Sequence, residues 1–105
     1  MNVKMISASK LLELLNKQES IQLIDLRESY ELETEGKSDA MHIPMGELVD
    51  RINEIPEKDK IVFHCSSGKR SLNMLSFLLM NGMYKDNFYH LEGGYQELMQ
   101  QVNEG

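Results

Sequence analysis

The stretch Lys60-Ile61-Val62-Phe63-His64-Cys65-Ser66-Ser67-Gly68-Lys69-Arg70-Ser71 holds the only cysteine of the chain. Its first five residues form a short, mainly apolar run, which predicts a buried β-strand. The residues from 71 to 81 carry leucines at helical spacing, which predicts an α-helix that ends before Gly82. The stretch therefore predicts a strand, a short loop that begins at the cysteine, and a helix.

Strand-like and helix-like segments alternate along the rest of the chain. Short apolar runs predict four more strands, at residues 4–6, 21–26, 41–43 and 88–91. Further helices are predicted after Ser7 or Ser9, over residues 47–55 and after Gly93-Gly94, with a turn of helix within residues 27–36. Strands that alternate with helices across short connections form parallel sheets covered on both faces. We therefore expect an α/β fold, with three α/β/α layers and a central, mainly parallel five-stranded sheet.

The composition argues against several classes of function. A chain of 105 residues with 41% hydrophobic and 27% charged residues is expected to fold as one domain, residues 1–105. Its net charge of -6 repels phosphate, which argues against nucleic acid and anionic membranes as partners. One cysteine allows no internal disulfide, and the N-terminal segment has neither a signal-peptide nor a membrane-span pattern. We expect a cytoplasmic protein with a free thiol and no metal site and, by default, a monomer.

Cys65 is the candidate reactive residue. It follows a predicted strand, and ligand sites of open parallel sheets lie beyond the carboxyl ends of the strands. A thiol reacts as its thiolate. The start of the predicted helix, inward-turned N–H groups of the small loop residues, and the charges of Lys69 and Arg70 all favour that anion. A lone cysteine is often only a small buried apolar residue, but such a residue does not need this loop beside it.

The length of the loop separates two kinds of chemistry. His64-Cys65 followed by Arg70 is similar to the signature of cysteine phosphatases, but four residues separate Cys65 from Arg70 where that signature has five. The longer loop encloses a phosphoryl group, and its arginine binds two of the oxygens. A shorter loop is expected to leave room only for a sulfur atom carried on the cysteine. The count favours sulfur chemistry, with a phosphatase or arsenate reductase as the weaker alternative.

Four segments of the chain resemble the motifs of one known family. They are Ile24-Asp25-Leu26-Arg27-Glu28, Ala40-Met41-His42-Ile43-Pro44, the loop from Cys65 to Ser71, and Leu91-Glu92-Gly93-Gly94-Tyr95. In order, they resemble the Asp-x-Arg segment, the Ala-x-x-Ile-Pro strand, the active-site loop and the C-terminal Gly-Gly turn of the rhodanese-like sulfurtransferases. The resemblance covers essentially the whole chain, and it implies a rhodanese-like fold and a single-domain sulfurtransferase.

The resemblance also implies a two-step mechanism that needs no metal or organic cofactor. The Cys65 thiolate attacks the outer sulfur of a small anionic donor such as thiosulfate, or of a small persulfide, and becomes a persulfide. A thiol or a protein acceptor then removes that sulfur. The other loop residues are expected to bind the substrate: Ser66, Ser67, Gly68, Lys69, Arg70 and Ser71. A sulfur carrier or persulfide sensor with little turnover needs the same loop, so it stays open as the alternative.

Asp25 and Arg27 are candidates for a supporting role at the end of a second strand. Asp25 is expected either to orient the loop or to support the fold. Arg27 is expected to form a structural ion pair with an acid such as Glu31.

The remaining titratable side chains are expected to be structural or solvated. His64 is expected on the opposite face of its strand from Cys65, where it packs or hydrogen-bonds behind the loop. The two other histidines, His42 and His90, are expected to be structural. An acidic run is expected to form a solvated face: Glu28, Glu31, Glu33 and Glu35.

Overall fold

Five strands and four α-helices form the part of the chain that the computed structural model describes, residues 2–104. The strands are β1 (Lys4–Ile6), β2 (Ile21–Asp25), β3 (Met41–His42), β4 (Lys60–His64) and β5 (Phe88–Leu91). The helices are α1 (Ala8–Asn16), α2 (Ser29–Glu35), α3 (Lys69–Met80) and α4 (Gly94–Glu104). Two single-turn 3₁₀ helices, Met45–Glu47 and Ile52–Glu54, lie between β3 and β4. Within residues 2–104, no helix is both long and apolar enough to cross a membrane.

The strands form one sheet in the order β1-β5-β4-β2-β3, and every pairing is parallel. β4 is the central strand and pairs with β2 on one side and β5 on the other. The predicted α/β fold with a mainly parallel five-stranded sheet is confirmed. Because parallel strands end at the same edge of a sheet, the residues that follow β2, β4 and β5 come together there.

Two apolar clusters cover the two faces of the sheet. Side chains alternate along β4, so that Ile61 and Phe63 join one cluster and Val62 joins the other. Helix α3 and the segment between β3 and β4 pack on the first face, and α1 and α4 pack on the second. A central strand buried on both faces reads as a continuous apolar run, which is why the sequence predicts β4 so clearly. The end of β4 is thereby held between α3 and α4.

The segment 47–55 departs from its prediction as a single helix. Glu47 N donates to Pro44 O over 2.8 Å, and Ile55 N donates to Ile52 O over 3.3 Å, which are bonds of the 3₁₀ type. Ile55 has an extended ψ of 123°, because a residue that precedes a proline, here Pro56, avoids the helical region. The segment therefore still packs on the core, but without a continuous helix.

Candidate active site

Cys65 follows β4 directly, and its thiol lies at the N-terminus of α3. The residue is fully buried. Gly68 N donates a hydrogen bond to Sγ over 3.2 Å, and Ser71 N donates one over 3.4 Å. Gly68 has a φ of 103°, a left-handed conformation that glycine adopts without strain. Because the N–H groups at a helix N-terminus carry partial positive charge, this position favours an anionic sulfur.

Helix α4 holds the opposite side of the loop. Tyr95 N donates to Cys65 O over 2.8 Å, and Gln96 N donates to Ser66 O over 3.0 Å. These first-turn amides have no partner within their own helix, so the loop carbonyls satisfy them. Gly94 permits the close approach, since a Cβ there would lie 2.6 Å from both carbonyl oxygens. With its carbonyls turned toward α4, the loop leaves its N–H side for the sulfur.

Ser71 connects the sulfur to β5. Its Oγ lies 3.8 Å from Cys65 Sγ, within reach of an S–H···O hydrogen bond, and 2.7 Å from His90 Nδ1. Both Ser71 and His90 are buried. Burial lowers the pKa of His90, and the charge of Glu92 opposes this shift without cancelling it. His90 was expected to be structural, and the structure places it one side chain away from the thiol.

Arg70 is paired with an acid of the run that was expected to be solvated. Its Nη1 donates to Glu31 Oε2 over 2.7 Å and its Nη2 to Oε1 over 2.5 Å, a bidentate pair between α3 and α2. Hydrogen bonds from Arg70 hold the pKa of Glu31 below its usual value, and the same bonds raise the pKa of Arg70. The solvated face is therefore wrong for Glu31, which is buried, because α2 turns this side chain toward the loop.

The other predicted loop residues lie on different sides of the loop. Ser66 is buried; its Oγ donates to Glu35 Oε1 over 2.6 Å and accepts from Gln96 Nε2 over 2.9 Å. Glu35 is exposed, as predicted, and its carboxylate also binds the loop. Ser67 and Lys69 are exposed. Lys69 has no ion-pair partner among residues 2–104, so its charge is uncompensated where that of Arg70 is balanced.

Asp25 and Arg27 form a buried ion pair with each other. Arg27 Nη2 donates to Asp25 Oδ2 over 2.9 Å, and Arg27 N donates to Oδ1 over 3.0 Å. Burial raises the pKa of Asp25, but the hydrogen bonds from Arg27, together with the charges of His64 and Arg27, leave that pKa below its usual value. The predicted structural ion pair of Arg27 is present, but with Asp25 and not with Glu31, because residues two apart at a strand end share a face and Asp25 lies within reach. The link to the loop is indirect: Arg27 Nη1 lies 3.7 Å from Glu35 Oε1, which accepts from Ser66.

His64 lies beside this ion pair. It stands opposite Asp25 across the β2–β4 ladder, and its ring is stacked 6.4 Å from that of Tyr95 between centroids. His64 is fully buried, neither ring nitrogen has a hydrogen-bond partner among residues 2–104, and burial lowers the pKa of the ring. The expected packing behind the loop is confirmed.

Glu31 and His90 lie next to the loop, but nothing in the sequence near the loop indicates that they do. Glu31 and Arg70 are 39 residues apart, and Ser71 and His90 are 19 apart, so only the docking of α2 and β5 brings each pair together. Within residues 2–104, no group of three or more His, Cys, Asp or Glu side chains is placed to hold a metal ion. The arrangement can stabilise one anionic sulfur atom at a helix N-terminus, beside a balanced arginine and an exposed lysine.

Comparison with known proteins identifies the family. The family model of the Rhodanese-like domain matches residues 7–101. The protein named "Putative sulfurtransferase YtwF" of Bacillus subtilis (strain 168) is 34% identical over 94 residues, which cover 90% of this chain and 88% of that protein. A protein of Allochromatium vinosum named "Sulfurtransferase" is 31% identical over 80 residues, 76% of this chain and 75% of that protein. The crystal structure of a rhodanese-related protein from Thermoplasma volcanium aligns with a TM-score of 0.75 and 26% identity, covering 93% of this chain and 92% of that one. The chain belongs to the rhodanese-like domain family.

Proposed function

We propose that this protein is a sulfurtransferase that carries sulfane sulfur as a persulfide on Cys65. The position of Sγ supports the proposal most directly, because it accepts N–H hydrogen bonds from Gly68 and Ser71 at the start of α3. Such preorganised donors stabilise a negative sulfur before and after it is loaded. The names of the two relatives described above agree with this chemistry.

The reaction has two half-reactions. The thiolate of Cys65 attacks the outer sulfur of a small donor, thiosulfate or a persulfide; a new S–S bond forms, the S–S bond of the donor breaks, and its electron pair leaves with sulfite or a thiolate. A thiophilic acceptor, a small thiol or a group on a partner protein, then attacks the outer sulfur and restores the Cys65 thiolate. A single domain in a reducing compartment such as the cytoplasm would keep this thiol free to react.

The other loop residues have distinct roles in this reaction. Gly68 and Ser71 hold the sulfur through their N–H groups. Lys69 is exposed and attracts an anionic donor, with a smaller contribution from Arg70, whose charge Glu31 balances. Three further side chains act on the shape of the loop and not on the donor: Ser66, Asp25 and Arg27.

Intact mass measured after treatment with thiosulfate or an organic persulfide tests the proposal. We expect the chain to gain one sulfur atom, and cyanide to remove it. Cys65→Ser is the control and is expected to gain none. If neither donor produces the adduct on the wild-type chain, the proposal is wrong.

Turnover separates the enzyme from its alternatives. We expect repeated transfer from thiosulfate to cyanide, with a rate comparable to that of single-turnover loading and with ping-pong kinetics. Loading without turnover would indicate a sulfur carrier. Hydrolysis of an aryl phosphate that disappears in Cys65→Ser would instead indicate a phosphatase.

A further inference from the structure

His90 is a buried, titratable side chain that the sulfur-transfer steps leave without a task. It is 4% exposed, and its Nδ1 lies 2.7 Å from Ser71 Oγ. Its ring also lies against the loop, since a Cβ on Gly68 would approach His90 Cε1 to 3.3 Å. Ser71 Oγ lies 3.8 Å from Cys65 Sγ. The three side chains thus form a continuous line from the sulfur to the imidazole.

We propose that Ser71 and His90 take up the proton of the Cys65 thiol, with His90 as a positioning residue that acts through Ser71. The inference deepens the proposed function and rests on it, because it explains how a buried thiol becomes the nucleophile of the loading step.

The proton balance follows from the hydrogen bonds. The S–H of Cys65 is directed at Ser71 Oγ. As that S–H bond breaks, Ser71 passes its own proton to His90 Nδ1, so the products are a thiolate and an imidazolium and the serine is unchanged. The Ser71 hydroxyl lies closer to His90 Nδ1, at 2.7 Å, than to Gly68 O, at 3.1 Å, which favours the imidazole as its acceptor. The imidazolium later returns its proton to the thiolate or sulfite that leaves the donor.

The surroundings of His90 keep its ring neutral and able to accept. The residues opposite it across the sheet are Phe63 on β4 and Met5 on β1, neither of which is charged. Helix α3 contributes the hydroxyl of Ser71, and the loop contributes the thiol of Cys65. Glu92, in the turn between β5 and α4, is the acid whose charge raises the pKa of His90. Burial outweighs that charge and leaves the pKa of His90 below its usual value, so the ring is neutral at neutral pH. The relay assigns the one proton of the neutral ring to Nε2, which leaves Nδ1 free to accept from Ser71 Oγ 2.7 Å away.

Alkylation of Cys65 by iodoacetamide tests the relay without any sulfur donor. The variants are Ser71→Ala, His90→Asn, which cannot take up a proton at this position, and the two combined. At neutral pH we expect each single variant to react about tenfold more slowly than wild type, and the double variant no more slowly than Ser71→Ala. At about pH 9.5, where a thiol ionises without help, all rates are expected to converge. His42→Gln is the matched control, because that histidine bonds Arg27 O and not the loop.

Three results would overturn the relay. The first is an equal fold-loss at both pH values, which a purely structural role of His90 predicts. The second is an additive loss in the double variant. The third needs no variant: ¹⁵N NMR of the wild-type chain at neutral pH is expected to show His90 Nδ1 without a proton, and a proton there would exclude it as the acceptor. If the alkylation rates are as expected but no donor adds a sulfur atom to Cys65, the proton relay is supported and the proposed sulfurtransferase function is wrong.

Discussion

Two arginine–carboxylate pairs flank the Cys65 loop and differ in burial and in origin. The side chains of Arg27 and Asp25 are 0% and 2% exposed, whereas those of Arg70 and Glu31 are 33% and 10% exposed. The first pair joins two residues at the end of one strand, and the second joins α2 to α3. A fully buried charge depends on its partner, while a partly exposed one retains water as a substitute. The comparison indicates that the Arg27 pair matters mainly for the stability of the fold, whereas the Arg70 pair is partly open to water beside the Cys65 loop.

The substitution Asp25→Asn is expected to have the largest effect. It leaves the buried guanidinium of Arg27 with only the longer contact to Glu35, at 3.7 Å, as a counter-charge, which costs roughly 3 kcal/mol of the free energy of unfolding. Urea unfolding followed by circular dichroism measures the loss. Glu31→Gln is the matched change in the other pair, and there we expect about 1 kcal/mol, because Arg70 stays partly hydrated.

The double variant Asp25→Asn with Arg27→Met sharpens this result. Removal of both charges is expected to recover part of the lost stability, since the main cost comes from the charge left alone. Equal losses for Asp25→Asn and Glu31→Gln would contradict the distinction between the two pairs.

Low pH is expected to have the next largest effect, because buried titratable groups lie around the Asp25–Arg27 pair and the loop. Burial lowers the pKa of His64 in the folded chain. Below the ordinary histidine pKa of about 6.5, the unfolded chain therefore binds a proton that the folded chain does not, and the free energy of unfolding decreases as the pH is lowered. His90 acts in the same direction. The lowered pKa of Asp25 adds a second loss at lower pH, as the pH falls through the folded value.

The replacement His64→Phe isolates this contribution. It removes two ring nitrogens that have no hydrogen-bond partner among residues 2–104, so at pH 7 we expect stability within about 1 kcal/mol of wild type or above it. The decline between about pH 6.5 and 5 is expected to be shallower than in wild type. Urea unfolding at several pH values measures both, and an unchanged slope would show that His64 does not titrate with unfolding.

The two pairs also show which features of the structure can be predicted from the sequence and which cannot. The bounds of β1, β4 and β5 follow from short apolar runs, and the loop at Cys65 follows from small residues at a strand end, because these signals are local. The pairing of Glu31 with Arg70 depends on how α2 docks, and no periodicity within a helix reports that. Even the local pair of Asp25 with Arg27 is not singled out by the sequence, because the nearby run of acids offers several other carboxylates to this buried arginine.

Arg70→Ala examines the exposed pair through activity. With thiosulfate, we expect kcat/KM to fall about tenfold, the equivalent of 1.4 kcal/mol, because a positive charge near the anionic donor is lost. With an uncharged donor, an alkyl persulfide in its protonated form, the same attack on the outer sulfur releases a thiolate, and we expect a change of about twofold or less by the same electrostatic argument. Lys69→Ala is the matched charge change, since this exposed lysine lacks a carboxylate partner among residues 2–104. With thiosulfate it is expected to lose at least as much as Arg70→Ala, and with the uncharged donor no more than about twofold. Equal losses with both donors would mean that Arg70 acts on the shape of the loop.

Arg51→Ala is expected to have the smallest effect, although Arg51 makes two ion pairs, to Glu47 and Glu54, each at 3.0 Å. All three side chains remain open to water, so their charges are hydrated whether or not the pairs form. We expect no measurable change in the urea midpoint, at low or at high salt. A shift as large as that of Glu31→Gln would show that the number of contacts matters more than burial. No change in the midpoint would show that burial matters more than the number of contacts, because an ion pair stabilises this fold to the extent that its partners have lost water.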